Sequence, residues 1–187
     1  ISESHVEMDG AFALYEAWVK LQIGEVDTAL VYSYGKPSAG SVRDVLALQL
    51  DPYYLAPLWP DAHALATLQA RLLLESGRAT PEAMAEVAVR SLHNATTNAN
   101  AVRASATATV DQVLGTLPVA DPLRPADLAQ VADGGCAVVL ARGKRAQSLC
   151  DRPTWIRGID HRIDSHALGT RDLTRSKSAA VAAGMAG

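Results

Sequence analysis

Apolar residues recur at helical spacing over residues 11–19, and Gly24 ends that pattern. Residues 26–34 follow at once and are rich in β-branched and aromatic types, which favour a strand. We therefore expect a buried helix that leads directly into a buried strand. Because a helix start carries unpaired N–H groups and the positive end of the helix dipole, residues 7–10 are expected to face an anionic or thioester oxygen.

Capping signals predict that the region after this strand is mainly helical. A short helical run over residues 41–50 comes first, and three later starts have a side-chain acceptor at the N-cap position. The three predicted helices run from Asp61 to about Ser76, from Thr80 to about Ala95 and from Thr109 to about Leu114. Residues 51–60 contain three prolines, which fix φ and remove donors, so an ordinary helix or strand is excluded there.

Strand and helix signals alternate in the last third of the chain. Residues 134–141 form a continuous apolar run, the pattern of a strand buried on both faces. The other predicted elements are an extended run over 117–124, a helix over 144–149, a strand over 154–163 and a helix that begins at Ser176. The whole order predicts an α/β fold into which a helical block is inserted.

Composition and charge narrow the class of protein. The 187 residues are 49% hydrophobic and 20% charged, which is typical of a globular protein with a substantial core. A net charge of −3 gives no overall basic field, so nucleic acid is not expected as a main partner. No stretch approaches the ~20 apolar residues of a membrane helix, so we expect no membrane span. Two cysteines without a CxxC motif suit a reduced cytosolic protein better than a secreted one, so we expect a cytoplasmic location.

Several clusters are interpreted as structural. Cys136 and Cys150 lack metal-ligand spacing, and both thiols are expected to be buried and unreactive. Residues 160–166 contain two aspartates and two histidines, including His166, and a loop hydrogen-bond network is favoured over a metal site. The basic residues of segment 142–145 are interpreted as solvated surface rather than as a phosphate clamp.

Four sequence segments resemble thiolases. Residues 10–14 read Gly-Ala-Phe-Ala-Leu and residues 23–31 begin Ile-Gly-Glu-Val-Asp, similar to the thiolase nucleophile segment Cys-Ala-Ser-Gly-x-x-Ala-Leu, helix, Gly-Glu-x-Asp and strand. Residues 119–124, Val-Ala-Asp-Pro-Leu-Arg, and residues 133–140, Asp-Gly-Gly-Cys-Ala-Val-Val-Leu, are similar to segments of the sterol-carrier-protein-type thiolases. The resemblance implies a layered α/β/α fold with an inserted helical loop domain.

The same resemblance implies a domain assignment. Residues 1–36 would be the second half of the N-terminal thiolase-like domain, and residues 37–118 the helical loop domain. Residues 119–187 would supply the return strand of the N-terminal domain and the start of the C-terminal domain. On this interpretation the chain is the middle of a longer subunit and is incomplete at both ends.

Glu7 stands where the resemblance places the nucleophilic Cys. A carboxylate cannot replace a thiolate in thioester exchange at neutral pH. Lipid-transfer-protein-like aldolases of bacterial steroid side-chain breakdown are family members without this Cys. Resemblance to them implies retro-aldol cleavage of a β-hydroxyacyl-CoA with a steroid or other bulky acyl group, without a bound cofactor. It also implies a homodimer and a small OB-fold partner subunit.

Two other functions stay open at this point. The first is an ordinary thiolase, an acetyl-CoA acyltransferase whose nucleophile lies elsewhere in the alignment. The second is a non-catalytic lipid-binding or scaffolding subunit.

Three residues are candidates for catalysis. Glu7 could act as a general base, although an acid at a helix start also complements the dipole. His5 could polarise a thioester carbonyl, or could form a capping or core hydrogen bond. Tyr34 ends the first strand, where open α/β sheets bind ligands, and could act as a phenolic acid.

The aromatic segment 53–63 is the candidate substrate-binding region. Tyr53, Tyr54 and Trp59 lie on a proline-stiffened loop and offer apolar faces to a flat, bulky group, with His63 as a polar handle. Alternatively, these aromatic side chains tie the loop domain to the core.

Overall fold

This computed structural model describes residues 2–165 and 167–187. The chain divides into two compact units, and a helix and a pair of strands form the centre of the first. We call this first part the sheet unit; it comprises the chain through Lys36, Asp133–Asp164 and Lys177–Gly187. The second part, the helical unit, comprises Pro37–Ala132 and Ser165–Ser176. The assignment of residues 119–187 to a third segment stays a prediction.

The sheet unit is built on α1 (Gly10–Gln22) and the antiparallel strands β1 (Thr28–Gly35) and β2 (Gly134–Ala141). Their register pairs Thr28 with Ala141 at one end and Gly35 with Gly134 at the other. Helices α6 (Gly143–Leu149) and α7 (Lys177–Ala186) complete the unit. The predicted helix-to-strand order and the strand over 134–141 are confirmed.

The helical unit contains α2 (Val42–Leu48), α3 (Ala62–Glu75), α4 (Pro81–Ala95) and α5 (Val110–Leu114). The three predicted caps, at the starts of α3, α4 and α5, are present, and α2 is capped in the same way; each side-chain oxygen accepts from an amide three residues along the chain. The capping residues, in the order of these four helices, are Ser41, Asp61, Thr80 and Thr109. These local predictions are therefore confirmed.

Burial in the sheet unit differs from the prediction. Val31 is the buried residue of β1, and β2 has no buried residue. Cys136 and Cys150 are both exposed, so the expectation of buried, inert thiols is wrong. A sheet of two strands lacks the neighbouring strands and layers that would cover an apolar run on both faces.

Two predicted elements also take a different form. Residues 154–163 contain no strand, because the described part of the chain offers no neighbouring strand to pair with them. The run predicted as extended over 117–124 instead folds back at a tight turn, where Ala120 pairs with Leu123 around a cis Asp121–Pro122 bond. The Thr67 hydroxyl donates to the Ala120 carbonyl at 3.2 Å and ties this turn to α3.

His166 lies outside the described residues, so its place in the predicted loop network is not tested. Within the described ranges, no helix combines the length and the apolar character that crossing a membrane requires.

Candidate functional site

Asp9 caps the start of α1. Its Oδ1 accepts hydrogen bonds from the amides of Ala11 at 2.9 Å and Phe12 at 3.2 Å, and its carbonyl accepts from Ala13 at 3.2 Å. The expectation that this helix start offers unpaired N–H groups is therefore wrong for these amides. A carboxylate already stands at the positive end of the helix dipole, which disfavours a second anion there.

Gly10 brings α1 into direct contact with the sheet. A Cβ on Gly10 would lie 2.8 Å from the Cβ of Ser33 and 3.2 Å from its Oγ, so only glycine fits without a shift. Ser33 of β1 is the register partner of Cys136 of β2. The fold thus places Gly10, Ser33 and Cys136 together, although they are far apart in the sequence.

A small apolar cleft of about 190 Å³ lies where α1 begins to cross the sheet. It is lined by Gly10, Ala11, Leu14, Val31, Tyr32, Ser33, Cys136, Ala137 and Val138. Its volume is below the roughly 300–1,000 Å³ of sites that enclose a whole drug-sized ligand, so it can hold only part of an acyl-CoA. Cys136 was not predicted to belong here, because the β1–β2 register that brings it to Gly10 has no local sequence signal.

The three candidate catalytic residues all belong to the sheet unit. Glu7 and His5 are exposed on the segment that precedes Asp9, and Tyr34 is 80% exposed near the end of β1. None of the three forms a hydrogen bond or ion pair with another residue of the described chain, so they do not make a formed constellation. Their catalytic roles stay predictions.

Backbone strain marks the same segment. Met8, between Glu7 and Asp9, has a φ of 89°, which is uncommon for a residue with a side chain. Such strained positions cluster at functional sites, where the surrounding structure holds them. The backbone strain at Met8 therefore supports residues 7–10 as a candidate functional site.

The four candidate substrate-binding residues lie in the helical unit. The Oδ1 of Asp51 accepts from the amides of Tyr53 at 3.0 Å and Tyr54 at 2.7 Å, which fixes the turn below both rings. These tyrosines are 81% and 80% exposed, Trp59 is half-exposed, and His63 is exposed in the first turn of α3. Such exposure shows that the tyrosines do not pack into the core, while a role in substrate binding stays a prediction.

His161 packs against α1 in a way that the sequence did not indicate. The His161 ring lies 4.5 Å from Phe12 and 4.4 Å from Tyr15, measured between ring centroids. The Asp160 carboxylate, 8% exposed, is 3.0 Å from Arg162. The residue types of this segment predicted a polar network, but the packing of the His161 ring against two aromatic rings depends on tertiary contacts.

Asp164 completes the polar contacts of this segment. Its Oδ2 accepts from the hydroxyl of Ser178 at 2.8 Å and from the Ser178 amide at 3.4 Å. Within the described ranges, no group of three or more His, Cys, Asp and Glu side chains could hold a metal ion.

Segment 142–145 lines a separate open cleft of about 390 Å³ together with Asp27. The Nε of Arg142 lies 2.6 Å from Asp27 Oδ1, and the two side chains are 49% and 67% exposed, respectively. An ion pair this accessible to solvent contributes little to stability.

Comparisons with known proteins show similarity both in sequence and in fold. No protein-family model matches the chain. The chain is 33% identical over 113 residues to an acetyl-CoA acetyltransferase from Methanothermobacter thermautotrophicus, a match that covers 60% of this chain and 29% of that protein. It also resembles the solved Ltp2-ChsH2(DUF35) aldolase, with a TM-score of 0.60 and 22% identity over 74% of this chain and 36% of that one.

These matches cover only about a third of the length of either protein. They confirm the expected α/β fold and give the chain a thiolase-like relationship in sequence and fold.

Proposed function

We propose that this chain is part of a thiolase-like carbon–carbon lyase that cleaves a β-hydroxyacyl-CoA by retro-aldol chemistry. The observation that carries the proposal is the chemistry of the α1 start. The exposed carboxylate of Glu7 stands two residues before the capping carboxylate of Asp9, and this segment contains no thiol. The similarity in fold to an aldolase supports the same interpretation.

Retro-aldol cleavage needs a base and an acid but no acyl-enzyme. Glu7 accepts the proton of the substrate's β-hydroxyl group as the bond between Cα and Cβ breaks. The electron pair of that bond passes to the thioester as an enolate, and Cβ leaves as an aldehyde or ketone. Tyr34 donates a proton to Cα, which completes a shortened acyl-CoA.

The enolate oxygen needs a partner other than the first amides of α1. Asp9 occupies the N–H groups of Ala11 and Phe12. In this proposal His5, on the same segment as Glu7, polarises the thioester carbonyl.

The acyl group is proposed to be a steroid or a similarly bulky ring system. The exposed rings of Tyr53 and Tyr54, on a turn fixed by Asp51, offer flat apolar surface at low entropic cost. Trp59 enlarges that surface, and His63 supplies a polar contact. A cytoplasmic homodimer that works with a small OB-fold subunit completes the proposal, and the solved aldolase is likewise named for two components.

The test measures aldehyde or ketone release from a bulky β-hydroxyacyl-CoA by the full protein and any copurifying subunit. Glu7→Gln should lower kcat by roughly 10²- to 10⁴-fold, the usual contribution of a positioned base. Glu3→Gln, which changes an exposed glutamate on the same segment, is the matched control and should behave as wild type. Wild-type turnover by Glu7→Gln would show that Glu7 is not the base. Absence of turnover by the wild-type protein under any condition would favour a non-catalytic lipid-binding or scaffolding subunit.

A second candidate function is acyl transfer through Cys136. It is favoured by the position of this exposed thiol in the cleft beside Gly10. A thiol-directed acyl-CoA analogue followed by mass spectrometry separates the two functions, with Cys150 as the internal reference. Selective labelling of Cys136, together with loss of acyl exchange in Cys136→Ser, would show that the protein is an acyltransferase rather than a lyase.

A further inference from the structure

The first half of α1, residues 10–16, contains no fully buried side chain. The buried residue of this helix is Leu21, close to its C-terminal end. Near the start, Gly10 lies on Ser33, and the rings of Phe12 and Tyr15 meet His161. Because this half adjoins residues 7–10, its attachment to the rest of the unit controls where those residues lie.

The imidazole of His161 is held by ring contacts. It is tilted 59° against Phe12 and lies edge-on, at 81°, to Tyr15, with centroid distances of 4.5 and 4.4 Å. These geometries are those of favourable aromatic pairs. Its Nδ1 is buried and has no hydrogen-bond partner within the described chain, although buried polar atoms normally have one.

Polar contacts flank His161 on both sides, and the one at Asp164 ties its segment to α7. Asp160 has a side chain that is 8% exposed and is paired with Arg162 at 3.0 Å. Asp164 accepts two hydrogen bonds from Ser178 in the first turn of α7. Because this segment is attached to α7, the His161 ring can restrain the helix that it touches.

We propose that His161 is a positioning residue that holds the first half of α1 in place through its ring contacts with Phe12 and Tyr15. Without that ring, the first turns of α1 lose their contact with His161 and keep their contacts with the sheet, which include the one at Gly10. Local opening of residues 10–16 then becomes more frequent. Only the consequence for turnover rests on the proposed lyase function.

Hydrogen exchange measured by mass spectrometry on the full protein tests the proposal. His161→Ala should accelerate exchange of the amides of residues 10–16 by about three- to tenfold, the scale of one or two lost aromatic contacts. Exchange in α4 should not change. His161→Phe keeps a ring without the unpaired nitrogen, and should exchange as wild type does.

Arg157→Ala is the matched control, because Arg157 is exposed on the same segment. It should leave α1 exchange unchanged. If His161→Ala does not fold, His161→Gln and His161→Phe make the same comparison. The proposal is overturned if residues 10–16 exchange at the wild-type rate without the ring, or if the Phe variant exchanges as fast as the ringless variants.

Turnover supplies a separate measurement. If the protein cleaves a β-hydroxyacyl-CoA, His161→Ala should lower kcat several-fold with KM nearly unchanged, and His161→Phe should restore kcat. A change in KM alone would contradict a positioning role. The hydrogen-exchange result does not depend on the proposed lyase function. Failure of the lyase proposal can therefore be distinguished from failure of the positioning role of His161.

Discussion

Gly10 and Ser33 are in contact across the helix and the sheet, at a point where a Cβ on Gly10 would come within 2.8 Å of the Ser33 Cβ. This contact fixes the height of the α1 start above β1. It also places Gly10 beside Cys136, the register partner of Ser33. The cleft at the candidate site therefore depends on having glycine, which has no side chain, at position 10.

Gly10→Ala should destabilise the protein by about 1–3 kcal/mol, because the added methyl group overpacks the helix against β1. The change is measured as the free energy of unfolding in urea. Ser33→Gly removes the opposing Cβ, so the double variant should be more stable than the sum of the two single changes predicts. Strict additivity would show that the two positions do not interact.

Removal of the α1 cap should also be measurable. Asp9→Ala leaves the amides of Ala11 and Phe12 without their acceptor and should cost about 0.5–2 kcal/mol of unfolding free energy. Asp9→Ser keeps an acceptor and should recover much of that loss. Equal stability of the Ala variant and wild type would mean that the cap contributes nothing.

Leu21, at 5% exposure, is the buried residue of α1. Leu21→Ala should lower the free energy of unfolding by about 2–5 kcal/mol through lost apolar burial and a residual cavity. Ile23→Ala, at a position that is 70% exposed, is the control and should have little effect. Denaturant titrations of both variants make the comparison, and similar losses would contradict the assigned burial.

Arg103 joins two distant parts of the helical unit. It donates to the carbonyls of Pro125 at 3.0 Å and Leu128 at 2.7 Å. Arg103→Lys cannot reproduce this pair of hydrogen bonds. It should lower the free energy of unfolding by about 1–3 kcal/mol, measured by thermal or chemical denaturation. Arg90→Ala, an exposed arginine of α4, should stay within about 0.5 kcal/mol of wild type.

Local chemistry made much of the helical unit predictable. Asp61, Thr80 and Thr109 each cap a helix by accepting from an amide three residues ahead. Such a contact is encoded within one turn of chain, so the residue types alone indicate it. The strand over 134–141 was predictable for the same reason, since a short apolar run is itself a local pattern.

The candidate site was only partly predictable. The segment that carries Glu7 and His5 follows from the helix start at Gly10 and from the resemblance to thiolases. Asp9 as the cap of α1 could have been recognised from its position before Gly10, because Asp is a preferred N-cap residue. The place of Cys136 had no such signal.

The sequence by itself determined the helix starts, the two strands and the thiolase-like segments, because each depends on residues that are neighbours along the chain. Only the tertiary structure decided that Cys136 lies beside Gly10, that the His161 ring packs against Phe12 and Tyr15 of α1, and that residues 154–163 form no strand. These features depend on which distant segments meet. A side chain's burial and the pairing of a strand are properties of its neighbours in space, and those are set by the packing of the whole unit.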